Sequence, residues 1–353
     1  MDEASPRPIP LTPSPHADPM ENRTVSTPPL LFRHGIGLLL SLLLWGCVSD
    51  APRVNPLDPD GEAPALAGIT GRVERFYANT GIANAMITVL PDQIVTTSDA
   101  QGNYRIAASL FPGDYTVVCT VGGYAPDTVR LSLSAGEAGQ ADFRLNALPV
   151  FSSARLLTRR ETGFINPETR FLEYAVEVDD ADGDGDISRV TVTIPGLAYR
   201  DTLTRISAQE ATFTGRLQPA RLGLGGLEAL EGHPFHFQAT DLPGDSTDSG
   251  PRYISRLIEV VPVGDAPTGS ATPPFDFEWT SVFPPYPFTY RVEIYQNVAV
   301  QLPPERVLEG IPSDTTRWGF SGPLPSGNYY WVLYVEDDFG NTSRSLPKAI
   351  TIP

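Results

Sequence analysis

From Gly68 to the end of the chain, short runs of alternating apolar and polar residues are separated by glycine, proline, asparagine and aspartate. Alternation with a period of two places successive side chains on opposite faces of a β-strand. Short strands of this kind, separated by turn residues at intervals near ten, are typical of antiparallel sandwiches. The pattern therefore predicts an all-β protein, and the 353 residues leave room for three tandem β-sandwich domains behind an N-terminal leader.

The first domain is predicted at residues 68–147, where seven strands follow one another. The predicted strands are 71–75, 85–90, 94–97, 103–107, 114–121, 128–134 and 141–145. In the fifth strand, Cys119 alternates with Tyr115 and Val117, so its thiol is expected in the core. A structural thiol is favoured over a nucleophile because no histidine occurs in this domain.

This first domain also resembles a known family. The residues that carry the resemblance are Gly71-Arg-Val73, Ile87-Thr-Val89, Asp99-Ala-Gln-Gly102-Asn-Tyr104, Pro112-Gly113-Asp-Tyr115 and Gly123-Tyr124. They are similar to the carboxypeptidase regulatory-like domain. The resemblance implies a prealbumin-like sandwich with a structural or adhesive role, of a kind often grouped with carbohydrate-binding folds. Nothing in the sequence resembles the zinc peptidase domain that gave the family its name.

Two further domains are predicted. Residues 148–263 are expected to form an immunoglobulin-like sandwich, with strands at 171–178, 187–194, 202–206, 211–217, 235–240 and 253–261. Residues 263–274 have the composition of a linker. Residues 264–353 resemble fibronectin type III, on Trp279 in an early strand and on Leu324-Pro-Ser-Gly327-Asn-Tyr329-Tyr330-Trp331 before a turn at 338–341. Strands are expected there at 275–279, 290–294 and 329–335.

The segment from Asp179 to Asp186 is dense in aspartate and has the spacing of a metal-binding loop. Asp180, Asp182 and Asp184 match the first, third and fifth positions of a calcium loop, and Gly185 matches the sixth. The twelfth position is a threonine instead of a glutamate, and strands flank the loop, so the loop is not an EF-hand. Any calcium ion bound there would need a further donor.

In an immunoglobulin-like sandwich, the loop after the second strand and the loop after the sixth lie at the same end. The predicted fold can therefore bring a further donor to the acidic loop. The candidate calcium ligands are therefore Asp180, Asp182, Asp184, Asp186 and Asp241, with Asp245 or Asp248 as further donors. Carboxylates ~4 Å apart repel by about 1 kcal/mol per pair even in water, which favours a bound cation. A solvated loop whose charges spread apart is an equally weighted alternative.

Other chemistries are disfavoured by what the sequence lacks. The formal charge of −17 disfavours nucleic acid and anionic lipid surfaces as partners. Beyond the leader, the histidines are His233 and His236, and they do not form the H-E-x-x-H pattern of a zinc enzyme. The glycines between Leu222 and Leu230 follow no βαβ pattern and predict a loop. An enzyme is therefore not expected.

The leader predicts export and a lipid anchor. Gly35 to Trp45 is uncharged and too short to span a membrane, as in the core of a signal peptide. Leu44-Trp45-Gly46-Cys47 resembles the bacterial lipobox, although Trp45 is larger than the residue usual there. The resemblance implies removal of residues 1–46 and a lipid on Cys47. Residues 1–19 are rich in proline and include Asp2, Glu3 and Asp18, unlike the short basic start of a signal peptide, so Met20 is favoured over Met1 as the start of translation. Residues 47–67 are expected to form an extended tether. An ordinary signal peptide followed by an incidental cysteine is the alternative.

These features predict a lipid-anchored, non-catalytic binding or scaffolding protein of the cell envelope, expected in the outer membrane. Its expected partners are the membrane, through the anchor, and envelope proteins or glycans, without nucleic acid; calcium is the one expected cofactor. A carbohydrate-binding accessory lipoprotein and a purely structural spacer in an outer-membrane complex are the two alternatives.

Lipidation of Cys47 is directly testable. Mass spectrometry of the mature protein is expected to find an N-terminal cysteine at position 47 carrying a lipid, and Cys47→Ala is expected to abolish the modification because the acylated thiol is missing. An unmodified N-terminus at any residue after Cys47 would contradict the assignment.

Overall fold

The computed structural model describes residues 65–163, 168–206, 211–298 and 302–353. The leader, Cys47 and the predicted tether up to residue 64 lie outside the described residues. Residues 64–353 form one compact unit. Its described part is built from strands and short 3-10 turns, which confirms the all-β fold class. None of the described helical segments is long and apolar enough to cross a membrane.

The first module closes around one apolar core. Its strands are β1 (Ala67–Arg75), β2 (Met86–Leu90), β3 (Ile94–Thr97), β4 (Asn103–Leu110), β5 (Gly113–Thr120), β6 (Asp127–Leu133), β7 (Ala138–Gln140) and β8 (Phe143–Leu145). One sheet has the order β4–β1–β7, with β8 also paired to β1, and the other has the order β3–β2–β5–β6. The core between them includes Ile69, Ile87, Val117 and Phe143.

All seven strands predicted for this module are present. The additional strand β7 runs parallel to β1, and its Ala-Gly-Gln sequence lacks the alternation on which the prediction relied. Cys119 is fully buried in the core, as predicted. Burial raises the pKa of its thiol to about 11, so the thiol stays protonated near neutral pH.

The second module is also a two-sheet sandwich. Its strands are β9 (Val150–Glu161), β10 (Thr169–Asp179), β11 (Ile187–Ile194), β12 (Tyr199–Thr202), β13 (Thr204–Arg205), β14 (Thr212–Leu217), β15 (Phe235–Asp241) and β16 (Ser246–Arg252). The sheets have the orders β13–β14–β10–β9 and β12–β11–β15–β16. Short 3-10 turns occur at Asp184–Asp186, Pro195–Leu197, Pro219–Leu222 and Leu227–Leu230.

The strand predicted at 253–261 is wrong, because this segment pairs with no other strand. Several of its apolar residues nevertheless pack into two cores: the partly buried Ile254 and Leu257 pack against the second core, whereas the buried Ile258 belongs to the third. An apolar segment that packs between two cores was therefore mistaken for a strand. The long strand β9 was missed, because it lies inside its sheet, between β10 and a strand of the third module.

The third module begins with a strand inside the segment that was predicted to be a linker. Its strands are β17 (Val263–Ala266), β18 (Gly269–Ser270), β19 (Phe275–Thr280), β20 (Phe288–Gln296), β21 (Arg306–Pro312), β22 (Arg317–Phe320), β23 (Gly327–Asp337), β24 (Thr342–Arg344) and β25 (Lys348–Ile352). The sheets have the orders β17–β19–β22 and β21–β20–β23, and β23 also pairs with β24 and β25.

The predicted linker at 263–274 is therefore wrong in part, since it contains β17 and β18. Gly264 explains how such a segment packs: a Cβ atom there would lie 2.5 Å from the Trp331 ring, so only glycine allows this approach. The Trp331 indole N–H donates a hydrogen bond to the Pro267 carbonyl oxygen at 2.8 Å. A polar and proline-rich composition thus predicted a linker where the chain packs on a tryptophan.

The second and third modules share one sheet. Strand β24 pairs in parallel with β9, through Thr342 with Arg159 and Ser343 with Arg160. This pairing joins ten strands of the two modules into a single sheet. The fully buried Asn341 secures the junction, because its side-chain oxygen accepts a hydrogen bond from the Thr158 N–H at 2.7 Å.

We expect Asn341→Ala to lower the free energy of unfolding by about 1–3 kcal/mol, because it leaves the buried Thr158 N–H without its acceptor and removes one of the hydrogen bonds to the Asp337 carboxylate. Chemical denaturation measures this change. The control, Asn297→Ala, alters an exposed asparagine and should change stability by less than about 0.5 kcal/mol. Equal effects of the two substitutions would contradict the role of Asn341.

Candidate metal centre

The acidic loop between β10 and β11 folds back on itself. Gly183 adopts a φ of 112°, which glycine tolerates best. The Gly183 N–H donates to the Asp180 carbonyl oxygen at 3.0 Å, and the Asp182 N–H donates to Asp180 Oδ1 at 2.8 Å. A 3-10 turn at Asp184–Asp186 follows. The loop thereby brings one carboxylate oxygen each of Asp180, Asp182 and Asp186 within 4.8 Å of one another.

The other predicted ligands lie around this group of three. The Asp184 carboxylate is not part of it, and the Asp184 carbonyl oxygen accepts a hydrogen bond from Arg205. Asp241 is buried beside the group, but both of its oxygens are engaged, by the Gly244 N–H at 2.8 Å and by the Asn146 side-chain amide at 2.7 Å.

Asp245 and Asp248 differ in their positions. Asp245 shares the amide of Asn146, at 2.9 Å. Asp248 lies 3.3 Å from His236 Nδ1 and is not in the group of three. Of the two further donors considered from the sequence, only Asp245 is therefore linked to the acidic loop, through Asn146 and Asp241.

The first module closes over this loop. The Tyr77 hydroxyl donates to Asp186 Oδ1 at 2.9 Å, and the Ala147 N–H donates to Asp182 Oδ2 at 2.8 Å. Arg75 donates to the Ala181 carbonyl oxygen at 3.2 Å. Sequence reasoning placed the site in the second module alone and missed these residues, because no local pattern connects them to a loop that follows at least 35 positions later.

The group is buried and electrostatically uncompensated. Asp180 and Asp186 are only 8% and 4% exposed, and the Oδ2 atom of each has no hydrogen-bond partner. Within the described ranges, no arginine, lysine or histidine forms a salt bridge with any of the three carboxylates; the ion pairs lie elsewhere. The loop therefore concentrates negative charge without a protein cation to balance it.

This environment makes the carboxylates harder to ionise. Burial, the largest cause, and the nearby Asp186, Asp182 and Asp241 charges raise the pKa of Asp180 to about 6, against the opposing effect of the hydrogen bond from the Asp182 N–H. Burial likewise raises the pKa of Asp186. The hydrogen bond to Asp186 is the main reason that the pKa of Tyr77 rises to about 12, so its hydroxyl stays a donor.

One comparison with known proteins bears on the first module. Residues 68–146 match the family model of the carboxypeptidase regulatory-like domain, which confirms the resemblance of the first module. A search of curated proteins found no match.

Among solved structures, the chain is similar to a DUF3823 family protein from Parabacteroides merdae, at 12% identity over 55% of this chain and 100% of the other, with a TM-score of 0.22. It is similar to the major pilin subunit of Bacillus cereus, at 10% identity over 81% and 97% of the two chains, with a TM-score of 0.30. It is also similar to fibronectin(III)-like modules of CbhA from Clostridium thermocellum, at 14% identity over 58% and 92%, with a TM-score of 0.26. These values carry no statement about function.

The raised pKa of Asp180 predicts a pH-dependent stability in the presence of a metal chelator. An aspartate in an unfolded chain has a pKa near 3.9, so folding is penalised when the pH is high enough to ionise Asp180. The penalty is absent below about pH 4, grows up to about pH 6 and is complete above it. Asp180→Asn should therefore stabilise the protein at pH 7, by on the order of 2 kcal/mol, and have little effect at pH 4.

Chemical denaturation of the wild-type protein and the Asp180→Asn variant at several pH values checks this prediction. Asp184→Asn is the control, since its carboxylate lies outside the group of three. A stability difference between the wild-type protein and Asp180→Asn that is the same at pH 4 and pH 7 would contradict the burial of an ionised Asp180.

Proposed function

We propose that this protein is a non-catalytic binding or scaffolding component of the cell envelope, anchored in the outer membrane by a lipid on Cys47. The observation that carries the proposal is the continuous sheet through β9 and β24, which makes the second and third modules one body. A shared sheet holds the two modules in a fixed arrangement. A fixed arrangement suits a protein that presents its surfaces to binding partners.

The cysteine and histidine side chains, which are those most often used in catalysis, are buried or contact neighbouring residues in the described structure. These contacts support a non-catalytic role. The Cys119 thiol is buried and its pKa is raised to about 11, so it is a poor nucleophile. His236 Nδ1 lies 3.3 Å from the Asp248 carboxylate. His233 lies beside Gly196, where a Cβ atom would be 3.2 Å from its ring.

A groove on the first module favours one alternative, the carbohydrate-binding accessory protein. It is open, has a volume of about 580 Å³ and is lined by Arg72, Glu74, Asp127, Gln140, Asp142, Phe143 and Arg144. Such a volume lies within the range of small-molecule sites. The lining side chains offer donors and acceptors for sugar hydroxyls, whereas the Phe143 ring is buried and provides no stacking surface.

Tyr330 and Tyr334, on strand β23 of the third module, are a weaker candidate for sugar binding. Tyr334 is buried, and the Arg291 guanidinium lies 4.2 Å from the centre of its ring. Tyr330 stacks on Tyr295 with 5.1 Å between the ring centres. Both rings are therefore occupied by contacts within the protein, and the groove is the better place to test.

Measuring the binding of the protein to a glycan array distinguishes the carbohydrate-binding function from the scaffolding function. If the groove binds a glycan, Arg144→Ala should weaken binding by about tenfold, because one hydrogen-bonding side chain is lost. The exposed Arg105 lies outside the groove, and Arg105→Ala should bind as the wild-type protein does. Equal binding by both variants would contradict the groove as the site.

A partner in the envelope is tested by co-purification from membranes after cross-linking. A reproducible outer-membrane partner without any glycan binding would favour the scaffold or the structural spacer. Turnover of a peptide, ester or glycoside that a single Asp, Glu, His or Ser substitution abolishes would overturn the non-catalytic assignment.

A further inference from the structure

Each carboxylate in the group of three has one oxygen held by a protein donor. Asp180 Oδ1 accepts from the Asp182 N–H at 2.8 Å, Asp182 Oδ2 accepts from the Ala147 N–H at 2.8 Å, and Asp186 Oδ1 accepts from the Tyr77 hydroxyl at 2.9 Å. The second oxygens of Asp180 and Asp186 have no partner, although both side chains are more than nine-tenths buried. Donors that hold one oxygen and leave the other unpaired are the usual surroundings of metal-binding carboxylates.

A residue of the first module gives an independent indication. Asn146 is 6% exposed, and its amide nitrogen donates to Asp241 and Asp245 beside the group. The side-chain oxygen of Asn146 has no partner. Buried polar atoms are rarely left unpaired, and three such oxygens occur at this one junction.

The protein itself does not neutralise the cluster. Arg75 and Arg205 reach the loop, but they donate to main-chain carbonyl oxygens of Ala181, Asp184 and Ile187 and not to the three carboxylates. Buried charges are ordinarily paired or bound to a metal. A bound cation would supply the partner that these carboxylates lack.

We propose that Asp180, Asp182 and Asp186 bind a calcium ion at the junction of the first two modules, and that this ion holds the first module on the second. Oxygen ligands select calcium or magnesium over zinc, which prefers nitrogen and sulfur. Calcium fits better than magnesium, because it accepts irregular sets of oxygen ligands completed by water or carbonyl groups.

The ion and the module contact stabilise each other. Calcium fixes the orientation of Asp182 and Asp186, and these carboxylates accept hydrogen bonds from Ala147 and Tyr77 of the first module. Conversely, a docked first module pre-orients the ligands and increases the affinity for calcium, since coupling between two binding events is reciprocal. Calcium thus acts as a clamp between modules.

The first experiment measures thermal unfolding of the full-length protein in chelator and over a calcium titration. The expected Kd is ~10⁻⁴ to 10⁻³ M, as for extracellular calcium modules. At ten times Kd, the folding equilibrium constant should rise about elevenfold. Asp180→Asn and Asp186→Asn should abolish the rise, whereas Asp184→Asn, in the same loop but outside the group, should retain it.

The second experiment tests the clamp. In calcium, hydrogen exchange of the Ala147 amide should slow, because its acceptor Asp182 is fixed. Tyr77→Phe keeps the ring but removes the donor to Asp186, and should weaken calcium binding by about tenfold. Tyr253→Phe is the matched control, because both tyrosines are 54% exposed and Tyr253 follows Arg252, which pairs with the end of β15 opposite the loop. The Tyr253→Phe variant should bind calcium with the affinity of the wild-type protein.

The proposal fails if calcium leaves the wild-type unfolding midpoint unchanged, or if the shift survives Asp180→Asn and Asp186→Asn. An equal shift in magnesium would overturn the choice of calcium. Calcium binding without slower exchange at Ala147 and with unchanged affinity in Tyr77→Phe would overturn the clamp. None of these outcomes depends on glycan binding or on lipidation, so they are independent of the proposed function.

Discussion

The parallel pairing of β9 with β24 is the interaction on which the arrangement of the second and third modules depends. The pairing involves few residues, and side-chain hydrogen bonds beside it add to the junction. The Asn341 side chain accepts from the Thr158 N–H, and the Arg159 side chain donates to the Gly340 carbonyl oxygen. A buried main-chain group left unpaired costs about 1–3 kcal/mol, so separating the modules would be costly. The one described cysteine, Cys119, forms no disulfide. The described modules are therefore stabilised by burial and by shared hydrogen bonds.

Strands whose alternation reflects one buried face were predictable. The strands at 94–97 and 187–194 have the bounds that the sequence predicts; in the second of them the buried Val190, Val192 and Ile194 alternate with threonines. Strand prediction failed where residues are buried for a reason other than lying on the core face of a strand. The segment 253–261 serves two cores without a strand partner, and Gly264 of β17 packs on Trp331. Both depend on residues distant in the sequence, which a local pattern does not describe.

The candidate metal site in the acidic loop was likewise only partly predictable from the sequence. Its spacing identified the aspartates, but the EF-hand positions group Asp184 with Asp180 and Asp182. The 3-10 turn at Asp184–Asp186 instead brings Asp186 to them. Tyr77 and Asn146, which contact the loop and its neighbour Asp241, are distant in sequence. Only the packing of the first module on the second reveals them.

The two junctions differ in what stabilises them. Main-chain pairing joins the second module to the third, and Arg256 of the second module also forms an ion pair with Asp337 of the third, so the carboxylate at that junction is compensated by a protein cation. Carboxylates that accept hydrogen bonds from Tyr77 and Ala147 join the first module to the second, and carboxylates respond both to protons and to cations. A proton on Asp180 relieves the repulsion but supplies no bond between modules, whereas a divalent cation relieves the repulsion and also orients the acceptors. The first junction is therefore the one whose carboxylates have no protein cation to balance them, and its strength should respond more to the ionic conditions around the protein.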